Sequence, residues 1–328
     1  IFRAFYAIRR MTASNGQATN AVFGFTTMLL KVLKEHAPKH LAIAFDPGGK
    51  NFRHEMYPAY KANRSAPPEE LPPQIPLIHR VVDSLGIKKV VVPGFEADDV
   101  LGTMARQAEA QGYDVVIITG DKDLMQLVND HTSLIDELRM QKGQSDTSVI
   151  TRAQVIAKFG VPPERVVDVL ALAGDSSDNV PGVRGIGEKT ATELVTQFGD
   201  LESVLAHADD IKQPSRREKL KADADNARLS KRLVVIREDV PVGVRIGDLG
   251  YHGPDRPALL KLFNELEFRR LINDPFVRGV EAPAGSMSDA PSEEAGEAHA
   301  EPPPTHGVID RSAYRCVVDQ AALREVMG

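Results

Sequence analysis

Three apolar, β-type runs in this chain each end in carboxylates. Residues 41–45 (LAIAF) run into Asp46, residues 88–95 (KKVVVPGF) into Glu96, Asp98 and Asp99, and residues 114–119 (DVVIIT) into Gly120, Asp121 and Asp123. A fourth pair, Asp175 and Asp178, lies in the stretch GDSSDN. Strands alternating with helix-like segments predict an α/β fold with a parallel-type central sheet and crossover helices. In an open sheet of that kind the carboxyl ends of the strands converge on one crevice. Eight carboxylates gathered there repel one another unless cations hold them. The arrangement suits a hard divalent metal such as Mg²⁺ and chemistry on phosphate. Any one of these acids, taken singly, reads equally well as a helix N-cap. The signal lies in the set.

The rhythm of the chain places the set. Residues 15–36 read as a helix with Ala21, Phe25, Met28, Leu29, Val32 and Leu33 on its apolar side. Strands are expected at 41–45, 88–92 and 114–119, with a weaker one at 132–135, and a helix over 97–111 that Gly112 ends. From Thr151 the pattern turns helical, over 151–159, 163–173, 187–198, 200–207, 215–236 and 256–272. Residues 1–150 are thus expected to form an α/β metal-binding domain and 151–280 a helical region. Residues 281–306, rich in Pro, Ser, Glu and Ala, read as a disordered linker. Residues 307–328 read as the start of a further domain.

Two stretches carry the marks of a nucleic-acid partner. In GVRGIGEKTA, Gly182, Gly185 and Gly187 allow a tight turn and close approach of backbone to phosphate. The helix opening at Gly187 presents amides to an anion, and Arg184 and Lys189 add charge to the same rim. Such a helix–hairpin–helix, expected over 180–199, grips duplex backbone without reading bases. A plain αα turn with a glycine C-cap is the bland alternative. The second stretch is the insertion after Asp46. Its bases Lys50, Arg53, Lys61 and Arg64 interleave with Phe52, Tyr57 and Tyr60. That alternation suits single-stranded nucleic acid, where charges follow phosphates and rings stack on bases, although it is also what a solvated basic loop looks like. Arg3, in FRAFYA, is a further candidate phosphate clamp.

Net charge does not argue against such a partner. The formal −6 is matched by six acids between residues 281 and 307, where there is no Lys or Arg. The remainder is neutral overall, and its surface is net basic if eight acids are sequestered around metal. The single cysteine, Cys316, excludes an internal disulfide and a cysteine zinc site. No run approaches the ~18 apolar residues of a membrane span, so a cytoplasmic location is the default. His36 and His40 are four apart, but Pro38 breaks the helix a metal pair would need.

The stretches FRAFYAI, AFDPGGKNFRHEMYPAYKANR, GFEADDVLGTMA, ITGDKDLMQLV and LAGDSSDNVPGVRGIGEKTA, in this order over residues 1–275, closely resemble the 5′-nuclease domains of bacterial DNA polymerase I, within the flap endonuclease family. The resemblance implies a PIN-like nuclease fold with a helical arch, formed by the insertion, through which a single-stranded 5′ end passes. It implies a structure-specific enzyme with two or more Mg²⁺ or Mn²⁺ ions. Such an enzyme removes 5′ flaps and RNA primers and acts as a 5′–3′ exonuclease on nicked or primer-bearing duplex, as a monomer, with DNA as partner. Asp46, Glu96, Asp98, Asp99, Asp121, Asp123, Asp175 and Asp178 fall on the family's metal-site acids, and Arg3, Lys61 and Arg64 on basic positions near the scissile phosphate. The glycine hairpin falls on the duplex-binding element, which in the family also holds K⁺. The resemblance also places the chain in the nucleoid and makes the segment after the linker the start of a 3′–5′ exonuclease-like domain. The family begins with a strand ending in Val-Asp-Gly, whose Asp serves the metal site; this stretch is not in the sequence. Rival readings are therefore a catalytically impaired DNA-binding fragment and a related single-strand ribonuclease. A phosphatase built on Asp121 and Asp123 leaves the hairpin unexplained.

Overall fold

A computed structural model describes residues 1–136 and 149–280, which lie within one compact unit. The linker expected at 281–306 and the further-domain segment at 307–328 lie outside the described residues.

Among the described residues five short strands form the α/β part: β1 (Ala42–Ala44), β2 (Lys88–Val90), β3 (Val115–Ile118), β4 (Thr132–Ile135) and β5 (Val149–Ile150). β1 pairs in parallel with β2, Ile43 opposite Lys89, and β3 in parallel with β4, Ile117 opposite Leu134. β5 returns antiparallel on β4. The sequence predicts one central sheet; among the described residues the pairing instead gives a two-stranded and a three-stranded sheet. They share no ladder. What joins them is α5 (Ala97–Glu109), which packs on both β1 and β3. The C-terminal ends of these two strands and α1 (Phe2–Ala7) line a cleft of about 1310 Å³.

α2 (Asn20–His36) buries Val22, Phe25, Leu29, Leu30 and Leu33 against α4 (Ile75–Ser84), whose Ile78, Val81 and Val82 are fully enclosed. It ends at Ala37, left-handed at φ 39°, just before Pro38. The insertion after β1 contains one short α-helix, α3 (Phe52–Met56), capped by the Asn51 carboxamide oxygen, and a single 3-10 turn at Pro72–Gln74.

The helical part comprises α6 (Arg152–Phe159), α7 (Pro163–Ala173), α8 (Glu188–Phe198), α9 (Leu201–Ala206), α10 (Pro214–Ala222) and α11 (Ala224–Val234). α7 is its centre and packs against α8 and α11. Its buried Asp168 accepts from Lys231 of α11 at 2.7 Å and from the Leu201 amide of α9 at 3.2 Å, so the charge is paired where it is desolvated.

After α11 the chain turns back, and here the expectation of a helical region running to residue 280 needs correction. Residues 235–255 lie along the α/β part: the Val240 amide donates to Thr103 Oγ1, Leu41 to the Leu249 carbonyl, Tyr251 to Lys39 and Asp255 to Ser84. Helices α12 (Arg256–Glu265), α13 (Arg269–Ile272) and α14 (Pro275–Arg278) then place Leu259, Leu262, Phe263, Phe268 and Val277 in the same core as Leu30, Ile78 and Val81. The apolar face of 256–272 is spent on the α2–α4 layer. Gly102 permits the return: a Cβ there would stand 2.7 Å from Ile236 Cγ2 and 3.0 Å from the Arg237 carbonyl.

Candidate active site

Four chain segments deliver acids to one cavity of about 300 Å³. Asp46 follows β1, and its Oδ1 accepts from the Ala97 amide at 2.8 Å, capping α5. Glu96 and Asp98 come from the start of α5. Asp121 follows β3, with its Oδ1 accepting from the Asp123 amide at 2.9 Å. Asp175 and Asp178 come from the loop after α7, which is closed by reciprocal bonds between Asp175 and Val180 (3.0 and 2.7 Å). Seven of the eight expected acids line the cavity: Asp46, Glu96, Asp98, Asp121, Asp123, Asp175 and Asp178. Val180, Leu233, Val234 and Ile236 form an apolar part of the wall.

The eighth, Asp99, does not. It is fully buried, and Arg53 clamps it bidentately, Nη1 to Oδ2 at 2.6 Å and Nη2 to Oδ1 at 2.8 Å. Amides of Arg237 and Glu96 complete its shell at 2.9 and 3.2 Å. Arg53 also donates to the Leu233 and Val235 carbonyls, at 2.7 and 3.0 Å. Both residues therefore depart from expectation. Asp99 has its oxygens committed to the protein, and Arg53, 3% exposed, cannot reach a DNA backbone. Together they tie α3, α5 and the end of α11 beneath the cavity.

Tyr60 is a third correction. It was expected to stack on a base, but it is 4% exposed and its hydroxyl lies between Glu96 Oε2 (3.2 Å) and Asp178 Oδ2 (3.3 Å). Burial, then the Glu96 carboxylate, push its pKa upward, so it stays a proton donor. Lys61 reaches Glu96 Oε1 at 2.6 Å and Asp178 Oδ2 at 3.6 Å, and Arg64 pairs with Asp178 Oδ1. Burial opposes ionisation of Glu96, but Lys61, Arg53 and the Asn51 amide outweigh it and hold its pKa below the ordinary value.

On the other side of the cavity cations weigh less: Lys61 acts on Asp98 and Lys122 on Asp123, and neither outweighs burial and the neighbouring acids. Burial first, then Asp121, Asp46 and Glu96, push Asp98 up to about 7. Burial, then Asp121 and Asp175, push Asp123 up to about 7, and its buried Oδ1 has no hydrogen-bond partner. Among the described residues no three acids or imidazoles stand close enough, as placed, to enclose one ion; on one side Lys61 and Arg64 hold the carboxylates instead. Even so, an all-carboxylate oxygen set with an orphaned buried oxygen and mutual repulsion fits a hard divalent cation.

Arg3 stands apart from the small cavity. Its guanidinium donates to the Gly120 carbonyl at 2.6 Å and lines the larger cleft, which Asp121, Asp123, Asp175 and Asp178 also border. In the hairpin, Gly182 (φ 58°) is obligatory, because a Cβ would meet the Gly174 amide at 2.5 Å. Gly185 is left-handed at φ 74°, and Gly187 is the N-cap of α8. Lys189 is exposed on the first turn of α8. Arg184 is exposed but anchored to Asp223 at 3.0 Å. Sequence reasoning missed Lys219, whose ammonium lies against Gly185, and Lys122, which pairs with Glu188 at the start of α8 (3.1 Å) and so links the Asp121–Asp123 turn to the hairpin. It also missed Asn51, Asn63 and Asn179. Of these, only Asn179 had a signal, its place in GDSSDN.

Comparison with known proteins agrees along most of the chain. Residues 1–160 match the family model "5′-3′ exonuclease, N-terminal resolvase-like domain" and residues 161–257 match "5′-3′ exonuclease, C-terminal SAM fold". DNA polymerase I of Bacillus caldotenax is 43% identical over 83% of this chain and 31% of its own length. The thermostable DNA polymerase I of Thermus thermophilus is 42% identical over 88% of this chain and 33% of its own length. The chain thus spans about a third of the curated relatives it matches. Among solved structures, T5 5′-exonuclease with bound zinc superposes with a TM-score of 0.55 at 20% identity, covering 75% of this chain and 90% of that one. The catalytic core of Rad2 in complex with DNA gives 0.55 at 14% identity, covering 84% and 88%. At these identities the solved structures speak to the fold.

Proposed function

This chain belongs to the 5′–3′ exonuclease family, and on that premise we propose that it hydrolyses phosphodiesters at 5′ flaps and 5′ ends of duplex DNA, with divalent ions held by the acid cavity. The observation that carries the reading is the meeting of seven carboxylates from four distant segments in one hollow roofed by Lys61 and Arg64.

Asp46, Glu96 and Asp98 would hold one Mg²⁺ or Mn²⁺, and Asp121, Asp123, Asp175 and Asp178 a second. When bound, such ions supply a water acidified toward neutral pH and neutralise charge on the leaving oxygen. The chain's own residues do the rest. Lys61 and Arg64 stand at the mouth with cations that can turn from carboxylate to phosphate and offset charge developing there. Tyr60 keeps Glu96 and Asp178 bridged through its hydroxyl. The hairpin, with Lys189 and Lys219 at its rim, offers amides and ammonium groups to duplex phosphates independent of sequence. Duplex on the hairpin and single strand at the insertion would select a forked substrate by shape.

The relatives extend the proposal: the chain would be the 5′-nuclease portion of a DNA polymerase I, acting as a monomer in the cytoplasm on flapped, nicked or RNA-primed duplex. Among the described residues no helix is long and apolar enough to cross a membrane. The test is Mg²⁺-dependent cleavage of a 5′-labelled flap against a linear duplex and a linear RNA. Cleavage at the fork is the expected result; preference for linear RNA would overturn the assignment in favour of a single-strand ribonuclease.

A further inference from the structure

We infer that Asn179 is a positioning residue that locks the turn at 59–64 onto the loop at 175–180 and thereby fixes where Lys61 stands over the acid cavity. The inference rests on the nuclease reading above and goes beyond it to a residue that touches neither acid nor substrate.

Lys61 has a left-handed backbone, φ 56°, which a long side chain seldom adopts. Such a conformation persists only where the surroundings over-determine it. Besides the bonds from Tyr60 and Arg64 to the Asp178 carboxylate, three hydrogen bonds to backbone carbonyls cross between the two loops. The Lys61 amide donates to the Asp178 carbonyl at 2.9 Å, the Asn179 side-chain amide donates to the Ala59 carbonyl at 2.6 Å, and the Asn63 side-chain amide donates to the Ser176 carbonyl. Asn179 is itself left-handed at φ 56°, a conformation asparagine tolerates, and this sends its amide across the gap. The receiving loop is stiff. Besides the paired Asp175–Val180 bonds, Asp175 Oδ1 accepts from the Ser177 amide at 2.6 Å. The loop that brings Asp175 and Asp178 to the cavity therefore also grips the backbone that brings Lys61. Cation and carboxylates are held in mutual register by this loop-to-loop contact, of which Asn179 supplies one bond.

Asn179→Gly separates the two jobs of this side chain, because glycine keeps the left-handed backbone and removes only the amide. In the full chain we expect thermal stability near that of the wild type, faster amide hydrogen exchange over residues 57–64, and a kcat on a labelled 5′ flap lower by roughly 10- to 100-fold at unchanged KM, the scale of a small misplacement. Asn179→Asp, which turns an acceptor toward the Ala59 carbonyl, should lose more. Since Asn179 acts through Lys61, adding Asn179→Gly to Lys61→Ala should cost nothing further. Unchanged exchange over 57–64, a wild-type kcat, or full additivity of the two substitutions would each overturn the inference. A wild-type protein that fails to cleave flaps with Mg²⁺ sinks the nuclease reading instead, and the exchange measurement alone then decides the lock.

Discussion

Asp98 and Asp99 are neighbours in sequence, yet they belong to regions with opposite electrostatics. Asp99 faces a buried guanidinium and two amides, so its charge is fully compensated. Asp98 faces other acids across the cavity, and nothing of opposite sign outweighs them. One region uses burial and pairing to hold the body together. The other uses burial to concentrate repulsion, which a bound cation would relieve. A carboxylate beside a carboxylate thus says little by itself; the partner arriving from elsewhere in the chain decides its role.

Measurements on both regions would break or sharpen this contrast. Asp99→Ala leaves Arg53 buried without its anion and should destabilise the protein by about 3–5 kcal/mol in denaturant unfolding. Asp98→Asn should leave the metal-free protein as stable or more so while abolishing cleavage, and a loss of stability as large as that of Asp99→Ala would erase the distinction. Lys61→Met should lower the flap-cleavage rate by ~10²–10³-fold, the scale of removing one preorganised donor, with duplex affinity retained; equal losses in both would remove Lys61 from the chemistry. The same variant should bind Mn²⁺ more tightly in calorimetry, since Glu96 would lose a competing counterion.

A further measurement concerns pH. Asp98 and Asp123, pushed up to about 7, retain protons in the folded chain at pH values where the unfolded chain has released them. Their contribution to stability is therefore fully present below the unfolded carboxylate pKa and is lost as pH rises through about 7. The melting temperature of metal-free protein should fall between about pH 4, the unfolded carboxylate range, and about pH 7, the folded value, and Mg²⁺ should reverse the fall. A melting temperature flat in pH without metal would mean the repulsion is screened. The smallest effect is expected at the Lys122–Glu188 pair. Both partners are partly exposed, so Glu188→Gln should change stability by less than ~1 kcal/mol; a larger loss would show the hairpin and the acid turn to be coupled more tightly than this contact implies.

Much of the site was legible because strand ends and turn residues announce themselves locally. Asp46, Glu96 and Asp121 follow apolar runs, and the glycines of GVRGIG mark a tight turn. What escaped depends on partners distant in sequence. Nothing near Asp99 reveals that Arg53, 46 residues earlier, will clamp it. Tyr60 sits between bases in the sequence, and its burial against Glu96 and Asp178 depends on partners 36 and 118 residues away. The helical pattern at 256–272 breaks into α12 and α13 around the left-handed Glu267 and covers the α2–α4 layer, because an amphipathic face does not say which layer it will cover. The split sheet likewise depends on which backbones come within reach, which strand propensity leaves open.

The core that joins α2 and α4 to α12–α14 has a consequence for biogenesis. Leu30 and Ile78 leave the ribosome before Phe263, Phe268 and Val277, which complete their packing and are made 185 to 247 residues later. Contacts so far apart along the chain form late, after a large loop has closed. During synthesis the amino-terminal helices must wait with an apolar face exposed, a natural target for chaperones, and a chain cut after α11 would never cover it.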